Sequence, residues 1–190
     1  MDSKTLIAES GLRKTLETCL ELRLKDPSLK ASQVIRLFNG FYEGLPGLTV
    51  DLYANTLVIS EHDRQRTGEQ NLYEEIAEFY AKVLPDVKSV LLKQRYAQDL
   101  EQRKGRLLLG GELPTSIEEN GITYALDLRL NQDTSFYPDT RILRFWLSRQ
   151  MKDARVLNCF AYTGALGIAA LAGGASEVIQ TDLNPHFLAV

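Results

Sequence analysis

The sequence of 190 residues has few cysteines and no long apolar run, and each shortage excludes a class of protein. Its two cysteines, Cys19 and Cys159, form neither a CxxC pair nor a Cys/His cluster, so we expect no disulfide framework and no metal site. No apolar run reaches the roughly 20 residues that cross a bilayer. The first residues also lack the charged-then-apolar order of a signal peptide. These absences predict a reduced, cytoplasmic protein that does not act at a membrane.

The sequence also has little net charge, −3 at pH 7, and lacks the overall positive charge that is typical of nucleic-acid-binding domains. One local group of basic residues remains: Lys93, Arg95, Arg103, Lys104 and Arg106. Such a group is most often a solvated face. It keeps open the hypothesis of a non-catalytic RNA-binding or interaction module, whose RNA binding would weaken with salt.

The apolar residues, 44% of the sequence, are spaced so that they predict two helices in the first half. The first is expected over residues 4–24, where Leu12, Leu16, Cys19 and Leu20 recur at helical spacing. The second has its apolar residues between 72 and 83 and ends before Pro85. Both helices therefore have one apolar side that can pack on a sheet.

Short apolar runs predict the strands of that sheet. They read VIRLF, LTVDLY, TLVISEH and VKSVLLK, and the first three are expected to form an antiparallel sheet with tight turns. Residues 94–113 are charged and contain glycines, and we interpret them as a loop or linker. The first part, residues 1–110, is thus predicted to be a small α+β domain.

The second part, residues 111–190, begins with a predicted hairpin. Asn120 and Gly121 supply the positive φ angles of a tight β-turn. The strand after it alternates between apolar and polar positions, with Ile122, Tyr124, Leu126, Leu128 and Leu130 on one side. Asp139 is expected to cap a helix with an apolar face. That face consists of Ile142, Leu143, Phe145, Trp146 and Leu147.

The stretch from Asn158 to Asp182 predicts a βαβ unit that can bind a ligand. A short buried strand, RVLNCF, runs into a loop that ends at Gly164, and the helix ALGIAALAGG and the strand EVIQT follow. Glycine allows a sharp turn and a close approach of a ligand, and the start of a helix attracts an anionic group. Asp182 stands where it can accept hydrogen bonds from ribose hydroxyls. Because Asn184-Pro185 resembles a helix cap, we expect Asp182 to be free for a ligand.

The composition of the loop favours one class of cofactor. Nicotinamide-binding loops read G-x-G-x-x-G, so that backbone approaches a pyrophosphate. Here only Gly164 and Gly167 are available, and bulky Phe160 and Tyr162 occupy the turn. A cofactor with one carboxylate and one ribose, such as S-adenosylmethionine, is served better. A nicotinamide-dependent oxidoreductase remains the less favoured alternative.

Three motifs in the same order resemble the class I S-adenosylmethionine-dependent methyltransferases close to the 23S rRNA (cytosine-5) methyltransferase family. They are EGLPGLTVDLY at 43–53, NQDTSFYPDTR at 131–141 and NCFAYTG at 158–164. The resemblance covers about residues 30–190. It implies a small central-type α+β domain over 1–110, followed by the N-terminal part of a Rossmann-like methyltransferase domain over 111–190.

The resemblance also implies site residues and a substrate. Asn158, Phe160, Tyr162, Thr163 and Gly164 would hold the methionine end of the cofactor and Asp182 its ribose. Phe136, Tyr137 and Arg141 would pack over the cofactor or the substrate entrance, Tyr137 as a cofactor contact. The substrate would be a base of ribosomal RNA, cytosine at carbon-5 or guanine at N7.

Two features of the chain depart from the family pattern. Asp133-Thr134-Ser135 stands where the cytosine enzymes have Lys-Thr-Gly and a guanine-methylating branch has Asp-Thr-Gly, so the acceptor base stays open. The family's catalytic elements lie downstream of the position of Val190. The resemblance therefore implies no catalytic residue within this chain, which we expect to be inactive alone. Cys159 is expected to be a small packed side chain and not a nucleophile.

Overall fold

The computed structural model describes residues 9–64 and 70–190, which form a five-stranded sheet, a hairpin and a two-stranded parallel unit. The elements of the first part are α1 (Glu9–Lys25), β1 (Val34–Asn39), α2 (Gly40–Glu43), β2 (Leu48–Tyr53), β3 (Thr56–Glu61), α3 (Gln70–Val83), β4 (Ser89–Gln94), α4 (Leu100–Lys104) and β5 (Arg106–Leu109). Those of the second part are β6 (Ser116–Glu119), β7 (Ile122–Ala125), α5 (Arg141–Gln150), β8 (Arg155–Asn158), α6 (Ala165–Ala172) and β9 (Glu177–Gln180).

The first sheet has the strand order β1-β2-β3-β4-β5. Its first three strands are antiparallel neighbours, as the sequence predicts. Strand β4 pairs parallel to β3, because α3 crosses over between them, and β5 pairs antiparallel to β4.

Both faces of this sheet are covered, which explains why its central strands are apolar at consecutive positions. On β3, Leu57 and Ile59 pack in a core with the buried sides of α1 and α3. The intervening Val58 points to the other face, where it packs with the hairpin β6–β7. The second core joins the two parts of the chain, and the domain boundary near residue 110 stays a prediction.

The two helices predicted for the first half and the hairpin are confirmed. Helix α1 buries Leu12, Leu16, Cys19 and Leu20, and residues 4–8 of the predicted helix lie outside the described residues. The hairpin turns at Asn120 and Gly121 with φ angles of 55° and 76°. The alternating strand is shorter than predicted: β7 ends at Ala125, and Leu126 and Leu128 are buried without a strand partner.

The interpretation of residues 94–113 as a loop or linker is wrong. They contain α4 and β5, which completes the edge of the first sheet. Asp99 caps α4 by accepting a hydrogen bond from the backbone N–H of Glu101 at 2.9 Å. These elements are short and lie among charged residues, so the sequence pattern does not indicate them.

The predictions for α5 and β8 also need correction. Asp139 does not cap α5, since it lies in a 3-10 turn and Thr140 precedes the helix. The expected apolar face is exposed, with Ile142 at 75% and Trp146 at 51%, whereas Arg144 is buried. Strand β8 exists but is not buried, because Leu157 is 63% exposed. Its one strand partner among the described residues is β9.

Across the described ranges, no helix combines the length and the apolar character needed to cross a bilayer.

Candidate functional site

The loop from Asn158 to Gly164 connects β8 to α6 through a strained turn. Tyr162 and Gly164 both have positive φ angles, 50° and 84°. Gly164 is the residue before α6, and as a glycine it has no side chain to cap the first turn of that helix. A Cβ at Gly164 would lie 2.6 Å from the side-chain nitrogen of Gln180. The glycine is therefore required both by its conformation and by the close approach of β9.

Asp182 lies beyond the end of β9 and holds this loop in place. One carboxylate oxygen accepts a hydrogen bond from the backbone N–H of Tyr162 at 2.8 Å, and the other accepts one from the N–H of Asn184 at 2.9 Å. These two N–H groups lower the pKa of Asp182 below its ordinary value. Asn184 in turn accepts from the N–H of His186 at 3.1 Å, and a turn follows it in place of the expected helix.

Asp182 is therefore engaged with backbone, and the expectation that it is free is wrong in this respect. A carboxylate has about four acceptor positions on its two oxygens. Two of them are used, so the group retains capacity for hydroxyl donors.

Three aromatic rings pack in a row beside the loop with tilted and edge-to-face contacts, and we call them the aromatic stack. The ring centroids of Tyr137 and Tyr162 are 5.0 Å apart, and those of Tyr162 and Phe187 are 4.5 Å apart. Burial raises the pKa of both tyrosines, so both remain neutral phenols. Tyr137 comes from a segment 25 residues before Tyr162, and the stack joins this segment to the loop.

Residues 131–136, which we call the link segment, hold the 158–164 loop through hydrogen bonds. The hydroxyl of Tyr162 donates to the carbonyl oxygen of Thr134 at 2.9 Å. The hydroxyl of Thr163 donates to the carbonyl oxygen of Ser135. Thr134 and Ser135 are both buried. Two side chains of the loop are thus oriented by backbone atoms of the link segment.

The first sheet holds the link segment through three polar side chains. The Tyr53 hydroxyl lies 2.8 Å from Thr134 Oγ1. Lys93 is fully buried, and its ammonium group donates to the carbonyl oxygens of Leu128 at 2.5 Å and Asp133 at 2.9 Å. Burial lowers the pKa of Lys93 to about 7. The Arg95 guanidinium lies 3.0 Å from the Asp133 carboxylate.

A buried ion pair fixes the segment after the link. Arg144 Nε lies 2.6 Å from Glu119 Oε2, and both side chains are 1% exposed. The same guanidinium donates to the carbonyl oxygen of Tyr137 at 2.8 Å and covers the ring of Phe136 at 4.0 Å. The ion pair therefore connects α5 to β6 and orients the backbone next to the aromatic stack.

Most of the predicted site residues lie together. Tyr137, Tyr162, Thr163, Gly164 and Asp182 form the connected group described above. Asn158 lies at the end of β8, where its amide nitrogen is 3.4 Å from Gln180 Oε1.

Phe160 is 86% exposed and stands apart from that group. Phe136 is buried in the second core. Arg141 donates to the carbonyl oxygen of Ser28 at 2.7 Å.

Two predictions about side chains are wrong. Cys159 is exposed, not packed. Lys93 cannot belong to a basic surface, because it is buried beneath the link segment. Spacing in the sequence places Lys93 in a strand, but only the covering hairpin decides that its face is buried.

Several contributors were missed. Gln180 lies against Asn158 and Gly164, and Phe187 completes the aromatic stack. Alternation along β9 places Gln180 on the same side as Val178 and signals its direction. Thr134 and Ser135 contribute backbone carbonyls, which no side-chain pattern reveals.

The arrangement can hold a ligand with an anionic group and hydroxyl groups. The uncapped first turn of α6 offers N–H donors to an anion, and Asp182 has spare acceptor positions for hydroxyls. Over the described ranges, no group of three histidine, cysteine or acidic side chains could hold a metal ion.

Comparison with known proteins agrees with this arrangement. Residues 36–189 match the family model of S-adenosylmethionine-dependent methyltransferases. The ribosomal RNA large subunit methyltransferase I of Alteromonas mediterranea is 35% identical over 179 residues, which cover 90% of this chain and 43% of that protein. The protein of the same name from Aeromonas salmonicida is 36% identical over 84% of this chain and 41% of its own length. The chain thus spans less than half the length of these relatives.

A solved structure shows the same fold. It is a candidate methyltransferase complexed with SAH, with a TM-score of 0.81 and 27% identity over 95% of this chain and 46% of that chain. Its similarity extends over both parts of the fold, and it supports the mixed α/β, Rossmann-like architecture predicted from the sequence.

Proposed function

Because the chain belongs to the S-adenosylmethionine-dependent methyltransferase family, we propose that it binds this cofactor at the 158–164 loop. The observation that carries the proposal is the convergence of the uncapped α6, the glycine turn and Asp182 at one edge of the β8–β9 pair. When bound, the cofactor supplies an electrophilic methyl group on a sulfonium.

The residues of the chain divide the binding between them. Asp182 accepts the ribose hydroxyls while its two backbone bonds keep the carboxylate ionised and oriented. The N–H groups at the start of α6, with Asn158 and Thr163 beside them, hold the methionine end. Tyr137 and Tyr162 form a wall that excludes water from one side.

We propose a base of ribosomal RNA as the methyl acceptor. The support is the name of the relatives, ribosomal RNA large subunit methyltransferase I, at 35% and 36% identity. The acceptor atom, cytosine carbon-5 or guanine N7, stays open. The contribution of this chain to the transfer would be to position the donor methyl in line with the acceptor.

We further propose that the chain comprises two domains, residues 1–110 and 111–190. The edge strand β5 is the last strand of the five-stranded sheet in the sequence, and it ends just before the proposed boundary. The link segment and the second core then couple the sheet to the cofactor loop, so that the first domain serves as a rigid support.

Isothermal titration of the purified chain with S-adenosylmethionine, SAH and NAD tests the cofactor proposal. We expect binding of the first two, and at least about tenfold weaker binding after Asp182→Ala, since hydrogen bonds to a charged acceptor are lost. Asp86→Ala, an exposed acidic residue in the turn before β4, is the matched control and should bind as the wild type. Binding of NAD without S-adenosylmethionine would refute the proposal in favour of the oxidoreductase.

A further inference from the structure

An open cavity of about 650 Å³ lies at the end of β4, between the start of α3 and α4. Its volume falls within the range of small-ligand pockets. None of the residues used above for the cofactor lines it. We call it the β4-end pocket.

Tyr96 gives the pocket an exposed aromatic surface, and Tyr73 lies beneath it. Tyr96 is 50% exposed, and the guanidinium of Arg64 lies 4.8 Å from its ring centre. Tyr73 is buried at the floor, where its hydroxyl donates to the Glu61 carboxylate at 3.0 Å. A planar ligand can stack on Tyr96 or on the guanidinium plane, as unpaired bases do in RNA complexes.

Amide side chains line the rest of the wall. Gln94, Gln98 and Gln102 face the cavity, and none of the three amides makes a hydrogen bond to another residue within 9–64 and 70–190. Each amide offers both donors and an acceptor. Such groups match the mixed donors and acceptors on the edge of a nucleobase.

Arg106 adds a positive charge to the pocket. Arg106 is exposed and donates to the neutral amide oxygen of Gln70 at 2.7 Å. In the described part of the chain it has no carboxylate partner. A guanidinium in this state suits a phosphate.

The strand that lines the pocket also reaches the cofactor region. Arg95 pairs with Asp133 of the link segment. Its neighbours Gln94 and Tyr96 line the pocket. Because side chains alternate along a strand, Gln94 faces the α3 side of the sheet and Arg95 the other side, so the pocket and the link segment lie on opposite faces.

We propose that the β4-end pocket binds one unpaired nucleotide of an RNA substrate, apart from the nucleotide that is methylated. The base stacks on Tyr96, the three amides contact its edge, and Arg106 binds a phosphate. This rests on the proposed function, since it assumes an RNA acceptor.

The test is fluorescence anisotropy of the purified chain with a labelled single-stranded RNA of mixed sequence, at several salt concentrations. Tyr96→Ala should weaken binding about 5- to 100-fold, the effect of removing one stacking partner. Arg106→Ala should reduce the slope of log affinity against log salt by about one. The control is Tyr42→Ala, an 89% exposed tyrosine of α2, which should bind RNA as the wild type.

Titration of every variant with SAH separates the two proposals. Retained SAH binding with equal RNA affinity of the wild type and Tyr96→Ala would overturn the pocket and leave the cofactor site standing. The pocket proposal would also be overturned if the wild type binds no RNA, or if its RNA affinity does not depend on salt. RNA binding that depends on Tyr96 without any binding of SAH or S-adenosylmethionine would support the pocket and overturn the cofactor proposal.

Discussion

Replacement of Arg144 by methionine tests whether the buried ion pair supports α5 and the aromatic stack. The change keeps an apolar stem of similar length against Phe136 but removes the guanidinium. Glu119 then stays buried, and among the described residues the Ser32 hydroxyl, at 3.0 Å, is its remaining side-chain hydrogen-bond partner. An uncompensated buried carboxylate costs about 3–5 kcal/mol.

A double-mutant cycle separates the free energy of the ion pair from the free energy of packing. Glu119→Met alone should cost a similar amount, because it leaves the guanidinium of Arg144 buried without its carboxylate. The double variant, Arg144→Met with Glu119→Met, should cost less than either single change, since neither charge is left uncompensated. The two effects should therefore be strongly non-additive.

Urea unfolding followed by tryptophan fluorescence measures these free energies. The sequence has one tryptophan, Trp146, which lies on α5 beside Arg144 and reports on this helix. The control is Arg155→Met, which breaks the Arg155–Glu177 pair at 2.5 Å with side chains 77% and 45% exposed. An exposed pair is worth about 0–1 kcal/mol. A loss on Arg144→Met no larger than that of the control, or simple additivity in the cycle, would refute the reasoning.

Three further predictions concern the link segment and the loop. Burial lowers the pKa of Lys93 from 10.5 to about 7, so between these values the unfolded chain binds more protons and folding stability rises with pH. The unfolding free energy of the wild type relative to that of Lys93→Met should therefore rise between pH 7 and 9, by up to ~1.4 kcal/mol per pH unit. Urea titrations at several pH values measure it, and a difference between the two proteins that does not change with pH would contradict this prediction. Gly164→Ala should lower the unfolding free energy by about 1–2 kcal/mol, because alanine is strained at its φ of 84°, and should also weaken SAH binding in a titration. The control is Gly44→Ala, with φ of 90° and open space around it, which should lower stability alone. Tyr53→Phe should cost about 1–2 kcal/mol in thermal or urea unfolding, because it removes the hydrogen bonds of the hydroxyl to Thr134 and to the carbonyl oxygen of Phe136. Unchanged stability would show that these two bonds do not stabilise the fold.

The outline of the cofactor loop could be predicted because its signals are local. A strand that ends in a loop, a glycine before a helix and an acid after the next strand form a pattern that depends on backbone geometry. The positive φ of Gly164 and the position of Asp182 beside the loop agree with it. The hydrogen bonds that occupy Asp182 were not predicted, because the donors are backbone N–H groups.

The failures share a different cause. Hydropathy predicts that the apolar face of α5 is buried, yet Arg144 is buried and Ile142 is exposed. Arg144 is buried because Glu119, 25 residues earlier, supplies the compensating charge. Lys93 was placed on a surface because it is charged, yet two carbonyls from residues 128 and 133 solvate it inside the protein.

The sequence by itself determined the longer helices, the first four strands, the hairpin turn and the outline of the 158–164 loop, since periodicity and glycine positions act over a few residues. Only the tertiary structure decided which charged residues are buried and which segment supports the loop. Desolvation of Lys93, Glu119 and Arg144 is compensated by partners that are distant in the sequence. A local sequence pattern does not predict such partners, because they come together only when distant segments of the chain pack against each other.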